Sequence, residues 1–336
     1  MREMEYQVSE KRKKVVEDLL ALPQVQQALK DIKEDHEHSL EEQKMLTLIA
    51  SPTFHEQEKA KKMVSLFEEL GLDAKVEESG NAVGIRKGNG KGKIAIDGHM
   101  DTVYPLETEL VIKEDEKTIW CPGICDDTRA LAVMLAVIRA LNKNGIETEK
   151  DLVFVGTVQE EGKGGFGGMK MFCKDHTDID AYINIDGAGA QGMIYQSTGF
   201  KTIEVTFHGI GAHAFMGYGQ VANALSAAAR ACSKIAEIRT PDEPKTTVAV
   251  TNFHAGNDAG IHAIVNEATI KINYRSNGKA ELEELDRQIM QAIEEACKEE
   301  TERWGKNEIT YTLKTWCDVP VGSLNEHAPI VETVWT

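Results

Sequence analysis

Four short segments of this sequence place histidine or carboxylate side chains beside runs of apolar residues. The segments are Asp97–Asp101, Pro122–Asp127, Gln159–Gly162 and Asn184–Gly187. One histidine nitrogen combined with several carboxylate oxygens is a donor set that suits zinc or a similar divalent ion. Because a metal ion bound in this way lowers the pKa of water, the chemistry that these residues suggest is hydrolysis.

The first segment pairs His99 with Asp101 at the end of an apolar, strand-like run. Residues two apart on a strand project to the same side, so Asp101 can hold one nitrogen of the imidazole while the other nitrogen binds a metal ion. Taken alone, a His-x-Asp pair more often contains a surface histidine or one satisfied within the core. The pair therefore gains weight only from the other three segments.

Two of the other segments carry acids directly after apolar, strand-like runs. Glu160 and Glu161 follow the run 153–158, and two adjacent carboxylates repel each other unless a cation or a proton intervenes. Asp186 follows another apolar run, and ligands of open α/β sheets bind at the carboxyl ends of strands. Asp126 precedes a helix, where capping of that helix is the simpler explanation. Together the segments predict that these side chains meet at one edge of one sheet.

Strand-like and helix-like patterns alternate through the first part of the chain. Apolar residues of Thr128–Asn144 recur at helical spacing, and the pattern ends at Gly145. Short apolar runs precede and follow this helix, which predicts an α/β domain with a mostly parallel sheet. After about Gly199, polar and apolar residues alternate in strands, with helices around Ala222–Ile238 and Ala280–Trp304. This change predicts a second, α+β domain.

Composition and charge exclude several classes of partner. The 336 residues are 41% hydrophobic and 28% charged, and the net charge of −17 would repel nucleic acid. No apolar run reaches the roughly 18 to 20 residues that span a bilayer. The N-terminal stretch Met1–Glu5 lacks the layout of a secretory signal, and scattered cysteines fit a reducing compartment. We therefore expect a cytoplasmic protein that binds neither nucleic acid nor a membrane.

The order and spacing of the four segments resemble those of the dinuclear zinc metallopeptidases of family 20. This family includes peptidase T, aminoacylase, glutamate carboxypeptidase and succinyl-diaminopimelate desuccinylase. The resemblance covers nearly the whole chain, and it implies a zinc-exopeptidase-like catalytic domain over residues 1–198 and 313–336. An inserted α+β domain over residues 199–312 would serve as a lid and as the dimerisation domain.

The resemblance also implies a role for each candidate residue of the four segments. Two zinc ions would share four ligands, which are His99, Asp126, Glu161 and Asp186. Cobalt or manganese would be able to replace zinc. Asp101 would orient the imidazole, and Glu160 would be the general base for a metal-activated water. The implied reaction is hydrolysis of amide bonds in small peptides or N-acyl amino acids.

Two elements of the second domain resemble substrate-binding parts of the family. Gly209–Ala214 is similar to an element whose histidine helps to hold the substrate carbonyl across a dimer, which implies this role for His213. Asn266 and Arg275 lie in a stretch similar to one whose arginine grips a substrate carboxylate. Alternatively, these are polar side chains on a solvated surface. The resemblance further implies a homodimer formed through this domain.

Two departures from the family pattern limit what the resemblance implies. Thr128 and Arg129 stand where the family has lysine and glycine, which we expect to alter packing rather than metal binding. The last family ligand is a histidine well after the helix that starts near Glu326, and His327 lies too early to match it. We therefore expect a chain that lacks the C-terminal part of the catalytic domain and binds one metal ion well and a second poorly.

Two other functions remain open at this level. A truncated or inactive homologue could serve as a binding or dimerising module without catalysis. The segment Gly162–Gly167 also spells Gly-x-Gly-x-x-Gly between a strand and a potential helix, with Asp186 about twenty residues on, which is the dinucleotide-binding pattern of dehydrogenases. However, the acids before this loop would repel a pyrophosphate, and a dehydrogenase would leave His99 and Asp126 unexplained.

Overall fold

The alternating pattern of the first part and the strand-rich pattern of the second part fold into separate units in the computed structural model. The structure describes residues 8–187, 192–304 and 307–336, so the stretch Met1–Glu5 lies outside the described residues. The first unit comprises the chain up to Met193 together with Asn325–Thr336, and the second comprises Ile194–Leu324. Within the described residues, no helix is long and apolar enough to cross a membrane.

Six helices of the first unit precede or separate its strands. They are α1 (Glu10–Leu20), α2 (Pro23–Glu34), α3 (His36–Thr47), α4 (Gln57–Glu69), α5 (Thr128–Lys143) and α6 (Gly167–Asp175). α4 and α5 end before Gly71 and Gly145, whose φ angles of 83° and 59° lie in the left-handed region that favours glycine. The Ser9 hydroxyl makes no cap hydrogen bond to α1; it donates to Oε2 of Glu332 at 2.5 Å and thereby ties α1 to the last helix of the chain.

The sheet of the first unit is mostly parallel, as the sequence predicts. The strands of this unit are β1 (Asp73–Val76), β2 (Ala82–Arg86), β3 (Lys93–His99), β4 (Lys113–Glu114), β5 (Ile119–Trp120), β6 (Asp151–Thr157) and β7 (Ala181–Asn184). The order in the main sheet is β1-β2-β6-β3-β7, and β4 and β5 form a separate hairpin. Only β2 of the main sheet runs against the others. The carboxyl ends of β3, β6 and β7 therefore lie at the same edge.

Helices cover both faces of this sheet because its central strands are apolar on both sides. Phe154 of β6 packs with Phe67 of α4 and Leu131 of α5 in the core on one face. Its neighbour Val155 packs with Phe172 of α6 in the core on the other face. Successive side chains of a strand point to opposite faces, so a strand buried on both faces has a continuous apolar run. The prediction of an α/β domain flanked by helices is confirmed.

The second unit is a four-stranded antiparallel sheet with two helices packed on one face. Its elements are β8 (Gln196–Ser197), β9 (Gly199–His208), β10 (Ala212–His213), α7 (Ala224–Ala236), β11 (Thr246–Ala255), β12 (Ala263–Ile264), β13 (Glu267–Ser276), α8 (Lys279–Trp304), β14 (Thr310–Val319) and β15 (Gly322–Ser323). The main sheet has the order β11-β13-β9-β14, and β10 with β12 and β8 with β15 form short ribbons. Alternate side chains of β9, such as Val205 and Phe207, share one core with Ala228 of α7 and Ile289 of α8.

β14 places the boundary of the second unit later in the chain than the sequence pattern suggests. The predicted division assigns residues 313–336 to the catalytic domain, yet β14 pairs with β9 from Thr310 to Val319. Its backbone hydrogen bonds make it part of the second sheet, and only the segment from Asn325, with α9 (Pro329–Trp335), returns to the first unit. An alternating sequence pattern predicts a strand but carries no information about which sheet the strand joins.

Candidate metal centre

His99 is the last residue of β3, and it is only 2% exposed. Its Nδ1 atom lies 2.9 Å from the backbone carbonyl oxygen of Asp101. Because a carbonyl oxygen can only accept a hydrogen bond, Nδ1 carries a proton. Nε2 lies 2.9 Å from Oδ1 of Asp126. The orientation of the ring therefore directs Nε2 towards the candidate acids, where it could bind a metal ion.

Asp101 is fully buried and connects His99 with the acidic segment after β6. Its carboxylate lies 3.6 Å from Nδ1 of His99, so its backbone carbonyl is the nearer partner of the ring. The carboxylate accepts the backbone N–H groups of Glu160 and Glu161 at 2.9 and 3.0 Å, and the hydroxyl of Thr53 at 2.9 Å. Burial opposes ionisation of Asp101, but the nearby imidazole of His99 and the hydrogen bonds from these groups lower its pKa. The carboxylate of Asp101 thus holds the backbone of both glutamates, and its backbone carbonyl oxygen holds the His99 ring.

Two groups of donor atoms at this edge lie close enough together to bind metal ions. The donor atoms of His99, Asp126 and Asp186 lie within 4.8 Å of one another, and those of His99, Glu160 and Glu161 do so as well. These residues come from the end of β3, the start of α5 and the segments that follow β6 and β7. The fold thus brings together all four predicted metal ligands and the predicted general base.

Crowding of charged groups in this partly buried site shifts their pKa values. Burial raises the pKa of Glu160 to about 7. The charge of Glu161 adds to this rise, and the charge of His99 counteracts it. Burial also raises the pKa of Asp127 to about 8. For His99, burial is outweighed by the hydrogen bond to Asp101 and by nearby negative charges, which raise its pKa to about 10. Acids that repel one another or retain protons in this way are a donor set that a divalent cation would stabilise, so the residues fit a metal ion.

Two buried acids beside these groups were not among the predicted site residues. Asp127 accepts the backbone N–H of His99 at 3.0 Å, which holds the end of β3 against the start of α5. Asp97 accepts a hydrogen bond from Nδ2 of Asn184 at 2.8 Å, and its other oxygen has no partner among the described residues. An acid within an otherwise apolar strand is the sequence feature that could have revealed Asp97.

Two polar residues that are distant in sequence hold the start of the acidic segment after β6. Oδ1 of Asn81 accepts the N–H of Val158 at 3.1 Å, and Oε1 of Glu56 accepts the N–H of Gln159 at 3.0 Å. Sequence reasoning missed both residues. Glu56 lies just before α4, where an acid is ordinary because it complements the helix dipole, so its type and position do not mark it as part of a site.

The glycine run Gly162–Gly167 packs closely against the preceding turn of the chain. A Cβ atom at Gly164 would lie 2.5 Å from the carbonyl oxygen of Gln159, and one at Gly167 would collide with the Gln159 side chain. The N–H of Gly167 donates to the same carbonyl oxygen at 3.1 Å. Glycine is required here because the loop approaches Gln159 so closely. This packing accounts for Gly164 and Gly167, and the φ of 52° at Gly162 accounts for the first glycine of the dinucleotide-like spacing.

The three site residues predicted in the second unit do not form one cluster within that unit. His213 is exposed on β10, where it pairs with Ala263 of β12, and Asn266 lies three residues after Ala263. Arg275 lies nine residues further along β13, which corresponds to roughly 30 Å at about 3.3 Å per residue. Its guanidinium stacks on the ring of Phe200 at 4.8 Å. The structure therefore places His213 and Asn266 at one end of the unit and Arg275 at the other.

Comparison with known proteins agrees with this fold. The sequence model of peptidase family M20/M25/M40 matches residues 95–321. A relative from Thermococcus kodakarensis, provisionally named a LysW-lysine/LysW-ornithine hydrolase, is 34% identical over 126 residues, which are 38% of this chain and 33% of the relative. The match thus spans about a third of the length of that relative.

Solved structures of peptidases share the fold. Aminopeptidase PepT from Bacillus cereus superimposes with a TM-score of 0.70 and 21% identity, covering 88% of this chain and 79% of its own. YxeP from Bacillus subtilis, described as a dinuclear metal-binding peptidase of the M20 family, gives a TM-score of 0.61 with 15% identity and covers 87% of this chain and 77% of its own. The family match extends over more than half of the 336 residues and confirms the resemblance inferred from the four segments. The chain belongs to peptidase family M20/M25/M40.

Proposed function

We propose that this protein hydrolyses amide bonds in small peptides or N-acyl amino acids with the help of bound divalent metal. The observation that carries the proposal is the convergence of His99 and four acids into two overlapping groups of donor atoms at one sheet edge. Membership of a peptidase family supports it. A metal ion held there would polarise the scissile carbonyl group and lower the pKa of water.

The donor set supports zinc as the metal. Histidine nitrogen and carboxylate oxygens are zinc ligands, and cobalt or manganese accept the same donors. We assign four ligands to the metal, namely His99, Asp126, Glu161 and Asp186. His99, Asp126 and Asp186 form one of the two donor groups, and we expect this group to hold its ion more tightly than the group that includes Glu161. The description of YxeP as dinuclear supports a second ion.

Glu160 is the proposed general base. Its carboxylate would take a proton from the attacking water and deliver it to the leaving nitrogen. In the metal-free site the pKa of Glu160 is raised to about 7, and a bound cation would lower it, so the carboxylate would be ionised and able to accept a proton near neutral pH. Asp101 supports the role, since it binds the backbone N–H of Glu160 at 2.9 Å and so orients the residue.

The second unit is the proposed source of substrate contacts. His213 would donate a hydrogen bond to the developing oxyanion, and Asn266 lies near enough to His213 in the unit to join it. Arg275 would bind a substrate carboxylate. A tripeptide is at most about 11 Å long, so it cannot contact Asn266 and Arg275 of the same chain across roughly 30 Å. We therefore treat Arg275 as a separate candidate.

A homodimer through the second unit is also part of the proposal. β11 is a ten-residue edge strand with the sequence TTVAVTNFHA, which contains no proline and no acidic, lysine or arginine side chain. Edge strands are usually protected from pairing by such residues, and β14 at the opposite edge carries Lys314 and Asp318. The absence of these residue types along β11 supports pairing of β11 with β11 of a second copy.

The proposed location is the cytoplasm. None of the six cysteines, at positions 121, 125, 173, 232, 297 and 317, forms a disulfide bond in the structure. Cysteines without disulfide bonds on several elements of one chain suit a reducing compartment, since disulfides form in oxidising ones.

Replacement of Glu160 tests the catalytic role most directly. We expect Glu160→Ala to lower turnover by at least about 100-fold with unchanged metal content, because the residue is a base rather than a ligand. Glu161→Ala should lose part of the metal. The matched control is Glu58→Ala, whose side chain is 74% exposed. Substrates should include di- and tripeptides and N-acyl amino acids, among them N-acyl-lysine because of the name of the Thermococcus relative.

Two results would count against the proposal. Full turnover by Glu160→Ala would remove this residue from the mechanism. If the metal-loaded wild-type protein cleaves no member of the substrate panel, the alternative function as a non-catalytic binding or dimerising module is favoured.

A further inference from the structure

The segment that follows β6 is held by side chains rather than by sheet hydrogen bonds. The backbone N–H groups of four successive residues, 158 to 161, donate in turn to Asn81, to Glu56 and twice to Asp101, at 2.9 to 3.1 Å. All three acceptors are buried. They come from three places in the chain, so the path of this segment depends on tertiary contacts.

Glu56 makes the least ordinary of these contacts. It is 2% exposed, and its Oε1 atom accepts the N–H of Phe54 and the N–H of Gln159, both at 3.0 Å. Phe54 and Gln159 have φ angles of 76° and 59°, in the left-handed region that residues other than glycine rarely adopt. One carboxylate oxygen therefore stabilises two unusual backbone conformations in separate segments.

The conformation of Gln159 decides in which direction the next side chain points. Its N–H is held by Glu56, its carbonyl oxygen accepts the N–H of Gly167 at 3.1 Å, and the following N–H is held by Asp101. Hydrogen bonds thus hold the peptide groups on both sides of Gln159, which fixes its φ and ψ angles. Removing the contact on the N-terminal side would let Gln159 relax to an ordinary φ and rotate Glu160 away from the donor groups.

We propose that Glu56 is a positioning residue, which acts through the Gln159 backbone to fix the direction of the Glu160 carboxylate. This inference rests on the proposed role of Glu160 as general base. Glu56 itself touches neither substrate nor metal in this scheme. The position of its Oε1 atom matters more than its charge, because both groups that it accepts from are neutral backbone amides.

Two substitutions separate position from charge. Glu56→Gln keeps an acceptor oxygen at the same distance from the backbone and removes the charge, whereas Glu56→Asp keeps the charge and withdraws the oxygen by about 1.5 Å, one carbon–carbon bond. The matched control is Glu300→Ala, which removes another buried carboxylate that accepts a backbone N–H, in the second unit. Hydrogen exchange of the metal-free protein, kcat, KM and metal content are measured for each.

We expect Glu56→Asp to speed hydrogen exchange at residues 159, 160 and 161 at least tenfold in the metal-free protein. Its kcat should fall about 100-fold, since misplacing a catalytic group by about 1 Å has an effect of this size, while KM and metal content stay within twofold. Glu56→Gln should remain within about threefold of wild type in kcat and in exchange. Glu300→Ala should leave exchange of the acidic segment unchanged.

The proposal is overturned if exchange at Glu160 and Glu161 is unchanged in Glu56→Asp, or if Glu56→Gln loses as much activity as Glu56→Asp. A failure of the proposed function would be recognised separately. If Glu160 is not the general base, Glu160→Ala keeps its turnover, regardless of the results for the Glu56 variants. If no substrate is cleaved by any form, the exchange rates of the metal-free proteins alone decide whether Glu56 orders the segment.

Discussion

The two units of the chain hold their polar residues in different ways. In the first unit, His99 and Asp101 are buried, and hydrogen bonds hold the His99 ring and the backbone of Glu160 and Glu161. In the second unit, His213, Asn266 and Arg275 are exposed on a ribbon, a loop and a strand. Groups that must act on a bond need fixed geometry, whereas groups that receive a ligand from solvent must remain accessible. The difference supports the proposal that the first unit carries the chemistry and the second contributes recognition and association.

The largest effect expected from this contrast comes from Asp101. Asp101→Ala removes the acceptor of three hydrogen bonds in a buried site and leaves their donors unpaired, which should lower the free energy of unfolding by about 3 kcal/mol. Turnover should fall at least about 100-fold, because both glutamates lose their backbone anchor. Arg275→Ala is the matched change in the second unit, and we expect it to lower the free energy of unfolding by less than about 0.5 kcal/mol. Denaturant unfolding and kcat measure both. Equal stability losses would contradict the contrast.

A buried lysine gives the first unit a stability that depends on pH. Lys59 of α4 is 1% exposed, and burial lowers its pKa to about 8, although the charge of Asp101 opposes this. Between pH 8 and 10.5 the folded protein has released a proton that the unfolded chain retains, so stability rises with pH in this window. The difference between a pKa of about 8 in the folded state and 10.5 in the unfolded chain corresponds to a change of roughly 3 kcal/mol in the free energy of unfolding, at about 1.36 kcal/mol per pH unit.

Substitution of Lys59 isolates this effect. Lys59→Met should stabilise the metal-free protein at pH 7, and its advantage over wild type should shrink by roughly 3 kcal/mol as pH rises to 10.5. Lys298→Met in the second unit, where the side chain is 74% exposed, is the control and should show no such trend. Unfolding free energies at several pH values between 7 and 10.5 are the measurement. A constant difference between Lys59→Met and wild type would show that the ammonium is not buried as described.

Metal binding should release protons and strengthen as pH rises. The pKa of His99 is raised to about 10 in the metal-free site, so the imidazolium must lose a proton before Nε2 can bind a metal ion. We expect the apparent affinity to increase about tenfold for each pH unit between 6 and 8. Calorimetric titrations in two buffers of different ionisation enthalpy count the protons. His99→Ala should abolish tight binding, His213→Ala should not, and an affinity independent of pH would contradict the assigned site.

The smallest effect on the fold itself is expected at β11. Ala249→Lys places a charge on the exposed edge strand, which should weaken self-association at least tenfold while changing the unfolding free energy by less than about 0.5 kcal/mol. Thr315→Lys on β14, at the opposite edge, is the control. Sedimentation velocity at several protein concentrations distinguishes monomer from dimer. If the wild-type protein is monomeric at all concentrations, the proposal that the second unit mediates dimerisation is wrong.

Sequence alone was informative about residues that follow apolar runs. Glu160 and Asp186 follow β6 and β7 as the pattern implied, and the parallel direction of these strands brings them to His99. Asp97 interrupts the apolar run of β3 and Asp127 is adjacent to Asp126, but the sequence did not show that either side chain is buried beside the site. Their importance arises from burial next to other acids, and burial of a single polar residue within an apolar run is a property of the folded state.

What the sequence determined by itself was the identity and chain order of the candidate groups, because strand ends and helix starts depend on local apolar patterning and backbone preference. Tertiary structure alone decided how those groups are held. Gln159 binds Glu56 across 103 residues and Glu160 binds Asp101 across 59, and β14 joins a sheet whose other strands lie far earlier in the chain. Such contacts form only when distant segments pack together, and hydrogen bonds of this kind leave no periodicity in the sequence.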